Sequence, residues 1–217
     1  MLVTRTSRST ARTTRPRSPQ VDRAIRDATL ELFAAGGFDG MSVDAVAARA
    51  GVGKAAIYRR WPTKEDMVLA VIADAFEEPV GPDSGSVRGD LLRCTKDLHG
   101  LMTGDVTGGV FPPMSAELAR GSRLGRAYAQ HIVGPRRELF ALALRRGVER
   151  GELPVGLDVE LAVDLLVGTL LIRRLTGRLA PQPPSTAGPG VEAEPSAASV
   201  PENLVDLVLA GLGHRPS

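Results

Sequence analysis

Aromatic residues are scarce in this 217-residue chain, at 4% of the total. A β-sandwich core relies on aromatic and β-branched side chains, so the scarcity favours helices packed through Leu, Val and Ala. There is one cysteine, Cys94, so no intrachain disulfide can form, which fits a reducing compartment. A small core residue is a plainer reading of Cys94 than a redox sensor. No apolar run approaches the length of a membrane span. The first 20 residues carry five arginines and no apolar stretch, unlike a secretory signal. These absences predict a soluble, cytoplasmic protein. The three histidines, His99, His131 and His214, lack metal-ligand spacing. No G-x-S-x-G nucleophile motif occurs, and the carboxylates are spread as on solvated helix faces. Nothing here calls for catalysis, a metal or a cofactor. β-strand alternation and internal repeats are lacking too.

What is present is apolar residue at 43%, enough for a sizeable core, and an uneven charge distribution. Positions 1–64 hold 12 basic and 5 acidic residues, a balance of +7; positions 65–217 hold 15 and 20, a balance of −5. A basic head on a mildly acidic body suggests a polyanionic partner for the head alone.

The apolar spacing predicts an all-α chain. Residues 1–18, rich in Ser, Thr and Arg without periodicity, read as a disordered basic arm. Val21, Ile25, Ala28 and Leu32 mark a first helix that stops at Gly36-Gly37. Ser42 caps a second helix, with Val43, Val46, Ala47 and Ala50 inward, and Gly51 supplies a turn. A short third helix spans about 53–60. Pro62 breaks it, and Thr63 caps a fourth. After a loop at 79–85, a fifth helix runs through Val87, Leu91, Cys94, Leu98 and Met102. Pro112-Pro113 are expected to interrupt the next apolar region, and 114–151 to be helical with a break near Pro135. A very apolar helix covers 158–177. A Pro/Ala/Gly/Ser loop covers 178–200, and a last helix covers 201–212.

The stretch GVGKAAIYRRWPTKEDM, at 51–67, carries the chemistry. Its Gly-Lys pair is not a Walker loop: Ala48 stands where a glycine is needed, and Ala55 where Ser or Thr is needed. A helix-turn-helix fits better. A short basic helix crossing its predecessor steeply can enter the major groove, where Arg and Lys match guanine O6/N7. A merely solvated basic helix on a bundle is the alternative. Charge asymmetry and the aromatic-basic cluster favour DNA.

These residues resemble the TetR/AcrR transcriptional regulators. The likeness spans 25–72, through ATLELFAAGGFDG, MSVDAVAARAGVGKAAIYRRWPTKEDM and the helix after it. PRRELFALALRRGVERGEL and DVELAVDLLVGTLL resemble the family's regulatory domains more weakly. The resemblance implies a DNA-binding head at 19–64 and a ligand-binding, dimerising body at 65–217. It places Lys54, Ala55 and Arg59 at base-facing positions, Tyr58 and Lys64 at phosphate contacts, and Ser42 near the backbone. Arg60 falls at either kind of contact. Trp61 stands where Phe is usual and is expected to pack the head. Many relatives carry Ser and Gly where this chain has Gly53 and Ala55, and a second tyrosine in place of Arg59. No relative's operator can therefore be borrowed. The arm, with Arg12, Arg15 and Arg17, either enters the minor groove or attracts DNA nonspecifically.

One small head makes few base contacts, so a homodimer on a pseudo-palindromic double-stranded operator is expected. The helix at 158–177 is apolar over more than one stripe, and Gly168 permits close approach of another helix. With the last helix it resembles the family's four-helix dimer interface. The candidates are Leu161, Leu165, Gly168, Leu171, Ile172, Leu204, Val205, Val208 and Leu212, each also readable as plain core. The resemblance also implies a small-molecule effector in the body. Candidate pocket residues are Met102, Phe111, Met114, Tyr128, His131 and Phe140, with plain core the alternative for each. The reading is a dimeric repressor released by its effector. Its rivals are an effector-independent regulator or activator, and a small-molecule-binding protein without a DNA role.

Overall fold

Glycines and prolines set the limits of the first helices. The computed structural model describes residues 19–76, 79–105, 107–179 and 200–213. The expected arm at 1–18 and all but the ends of the 178–200 loop lie outside these. α1 (Pro19–Gly40) begins on a proline, and its regular turn ends where Gly37 adopts φ 66°. In α2 (Val43–Ala50), Ser42 Oγ accepts from the Ala45 amide, satisfying one of the orphan donors. Gly51 closes it in the left-handed conformation. Its amide donates to Ala48 O at 3.3 Å and that of Val52 to Ala47 O at 3.0 Å, the paired closure that glycine permits. α3 (Lys54–Tyr58) is a short basic rod, and α4 (Lys64–Ala75) is capped by Thr63. The further elements are α5 (Val87–Thr103), α6 (Thr107–Ala119), α7 (Arg123–Tyr128), a π-helical turn (Ala129–Val133), α8 (Gly134–Glu149), α9 (Val159–Leu175) and α10 (Val200–Gly211). Among the described residues there is no strand.

Two apolar cores form. The first gathers Ile25, Phe33, Val46, Ile57, Met67 and Ile72, and Trp61 packs against it as expected. It includes α4, so the head does not end at residue 64. It also takes in Met114 from α6 and Tyr128 and Ile132 beyond it, so head and body share a core rather than meeting at a linker. The second core joins Leu91, Phe140, Leu144, Leu166, Val205 and Leu209. Cys94 is buried there, and burial pushes its thiol up to about 12, which leaves it inert as expected of a core residue.

Pro112 and Pro113 do not interrupt the chain; they sit inside α6. The physical reason lies in α9. A proline at 112 has no N–H for the Gly108 carbonyl four residues back. Arg174 Nη2 supplies that hydrogen bond at 2.6 Å, while its Nε donates to Met102 O at 2.8 Å, an orphan carbonyl at the end of α5. Arg174→Ala removes both donors. It is expected to lower unfolding stability by about 2 kcal/mol, checked by urea titration; an unchanged midpoint would show that water replaces the clamp.

The expected break near Pro135 is displaced. The chain turns sharply at Gly121 (φ 59°), and Ser122 caps α7. Before Pro135 the helix widens into the π turn, where the Gly134 amide donates to Ala129 O. A π turn relieves the clash of the proline ring with the preceding turn without ending the helix.

Candidate functional site

α3 turns one side chain inward, Ile57, which is 1% exposed. That anchor fixes the rotation of the rod. Lys54, Ala55, Tyr58 and Arg59 are thereby left exposed on the opposite side, at spacings that share one helical face. The Arg59 side chain makes no hydrogen bond or ion pair with any described residue. Lys54 forms an exposed ion pair with Asp44 on α2, a contact that screening weakens. Ser42 is exposed at the start of α2, its Oγ already committed to the cap.

Two of the residues expected at the DNA, Arg60 and Lys64, are instead committed within the head, which spacing alone did not disclose. Arg60 Nε pairs with Asp22 of α1 at 2.5 Å, and its Nη1 donates to Ala56 O at 2.7 Å. It is 15% exposed at the side chain and ties the rod to α1. Lys64 Nζ donates to Phe38 O at 2.8 Å and to Met41 O at 3.2 Å, and lies 4.0 Å from the Phe38 ring centroid. These bonds span the α1–α2 connection, where otherwise unmatched carbonyls need a donor. Lys64→Met is expected to lower stability by about 1–3 kcal/mol while the salt slope of DNA binding stays unchanged. Thermal melts and binding titrations at several salt concentrations check both parts.

The body contains a cavity of about 150 Å³, almost wholly apolar, between α5, α6, the π turn and α9. Met102, Phe111 and Tyr128 line it, as expected. Met114 and Phe140 do not: they are fully buried in the first and second cores respectively. His131 points outward, because the π turn rotates the following residues and puts Ile132 inward instead. The wall also holds Phe76, Leu98, Leu101, Val167 and Leu171, positions with no signal separating them from ordinary core. Phe76 meets Tyr128 edge to face at 6.2 Å between centroids. Burial pushes the Tyr128 hydroxyl up to about 12 against the opposing pull of the nearby Arg136 cation, so it remains a neutral donor.

α9 presents Leu161, Leu165 and Ile172 to solvent, at 56%, 46% and 58% exposure. An added Cβ at Gly168 would meet nothing within 4 Å, so the space above it is open. Leu171 is half-buried and turned to the cavity. On α10 the expectation needs correction: Leu204 and Val205 are buried in the second core, and Val208 and Leu212 pack against it. The apolar side chain that α10 exposes is Leu207, at 73%. Both faces of this helix are apolar enough to be inward, so its orientation was not readable from period alone.

No described helix is long and apolar enough to cross a membrane. Residues 25–71 match the model of the bacterial regulatory proteins of the tetR family, and residues 81–187 match the tetracyclin repressor-like C-terminal domain. The HTH-type transcriptional regulator YdeS of Bacillus subtilis is 31% identical over 162 residues, covering 74% of this chain and 81% of its own length. The DNA-binding transcriptional repressor TetR of Mycobacteroides abscessus is 30% identical over 156 residues, covering 70% and 80%. Among solved structures, the TetR family regulator SCO0332 superposes with a TM-score of 0.57 at 27% identity, covering 88% of this chain and 98% of that one. FadR from Bacillus subtilis, solved with stearoyl-CoA, gives 0.64 at 19% identity, covering 87% and 98%. With the head, its exposed basic rod and the helical body all accounted for by these likenesses, the chain belongs to the TetR family of DNA-binding transcriptional regulators.

Proposed function

We propose that the chain acts as a homodimeric repressor that leaves its operator when a largely apolar small molecule occupies the body cavity. The observation that carries this reading is a shared wall. Tyr128 and Ile132 line the cavity and at the same time belong to the core of the head. The same segment reaches the DNA-reading end: Arg123 of α7 bonds Glu65 at 2.9 Å and Asp66 at 3.3 Å, both in the first turn of α4 just after the rod. A ligand that swells the cavity must displace Tyr128 or Ile132, and thereby favour one placement of α4 over another. Differential affinity for two placements is what coupling between the sites requires. The named repressor among the relatives agrees with repression.

In this reading Lys54, Ala55 and Arg59 face base edges, Tyr58 and Ser42 face the backbone, and the operator is a pseudo-palindrome read by two heads. Footprinting on the DNA upstream of its own gene, repeated with a compound panel ranked by thermal shift, tests the proposal. A compound that stabilises the protein should weaken the footprint. Stabilising compounds that all leave it intact would favour an effector-independent regulator.

A further inference from the structure

A second recess lies against the apolar cavity. It is an open groove of about 490 Å³ between α5 and α8, roofed by Pro79 and Val80. Its floor is apolar, with Leu98, Leu101, Leu139 and Phe140. Its rim carries three cations, Arg93, Lys96 and Arg136, against one carboxylate, Asp97. Leu98, Leu101 and Arg136 line the groove and the closed cavity alike, so a partition one side chain thick separates the two.

We infer that groove and cavity form one two-compartment site for an anion-headed molecule with a compact apolar tail. This rests on the effector reading above and names the class of effector. The tail compartment is set by size and chemistry: an apolar void of this volume stays dry and accepts a benzene-sized group. The head compartment is set by charge. Arg93 holds Asp97 only at 3.6 Å in an exposed pair, and Lys96 shares Glu202 at 2.6 Å, with 71% and 50% of the two cationic side chains exposed. Exposed pairs of this kind exchange partners at little cost. Arg136 stands at the partition, its guanidinium 5.5 Å from the Phe76 ring centroid and its Nη1 donating to Ile132 O at 3.0 Å. Burial lowers its pKa, a desolvation that an adjacent anion offsets. A neutral apolar ligand would leave the cationic rim unmatched. A purely hydrophilic anion would leave the cavity unfilled.

Carboxylate and phosphate heads share this chemistry, and three eight-carbon probes distinguish them: octanoate, octanoyl-CoA and 1-octanol. Calorimetric titration of the full chain is expected to show at least one anionic probe binding about tenfold or more tighter than 1-octanol, the proportion expected of a matched charge at a partly desolvated site. Tighter octanoate assigns a carboxylate head, and tighter octanoyl-CoA a phosphate-bearing one. The double variant Arg93→Gln, Lys96→Gln, checked for folding by its thermal melt, should shrink the preference several-fold and leave 1-octanol affinity unchanged. Leu171→Trp, which fills the tail compartment, should weaken all three probes. Equal binding of alcohol and anions, a preference untouched by the double variant, or no binding of any probe overturns the inference. Operator release is followed in parallel. Anion binding that leaves the DNA complex intact keeps this site and rejects the effector reading. Release by neutral compounds alone keeps the effector reading and rejects this site.

Discussion

Ile172→Asp is expected to convert the protein into a folded monomer that no longer holds its operator at concentrations saturating for the parent. Ile172 is 58% exposed, so the change removes little from the protomer's own core. Leu161, Leu165, Gly168, Ile172 and Leu175 recur at alternating steps of four and three along α9, the spacing of a seam that faces another helix. Leu207 of α10 continues the patch. A two-fold axis through such a patch sets each residue against the same surface of its partner. Two Ile172 side chains then lose roughly 1.5–3 kcal/mol of burial each, and two carboxylates are brought into an apolar contact they cannot neutralise. Dimerisation is expected to weaken by about a thousandfold, or about 4 kcal/mol. Sedimentation and mobility shift measure the two consequences. A variant that stays dimeric at micromolar concentration places the interface elsewhere.

The second large effect belongs to Arg59. Arg59→Ala is expected to cost about 1–3 kcal/mol at each half-site and to relax base preference at the positions it reads. The two heads of a dimer are far apart, so the losses should add, to roughly 2–6 kcal/mol on a full operator. Lys54 is a useful contrast. It must exchange Asp44 for DNA, so its truncation is expected to cost less. Binding to a set of operator variants, at two salt concentrations, separates base reading from phosphate attraction. Discrimination that survives the change intact removes Arg59 from the reading face.

Much of the head was legible because its determinants are local. Ser42, Gly51 and Thr63 act on amides a few residues away, so caps and turns follow from neighbours in the chain. Ile57 fixes the rod's rotation within a single turn of helix, which leaves Lys54 and Arg59 outward as read. Arg60 and Lys64 escaped because their partners, Asp22, Phe38 and Met41, are 38, 26 and 23 residues distant. Basic residues beside a recognition helix look alike until such partners are placed. Pro112 misled for the same reason: the donor that rescues Gly108 is Arg174, 66 residues on.

The cavity shows the limit from another side. Met102, Phe111 and Tyr128 were found because large side chains between helices are few in this chain. Met114 and Phe140 share that description, and only packing sends them into core. Amino-acid order alone therefore determined the helices, most of their ends, the basic rod and the family. Tertiary structure decided which cations remain available to a partner, which face of α10 is outward, and where empty space lies. Helix formation depends on contacts within about one turn, whereas a void or a committed charge depends on groups that only the folded chain brings together.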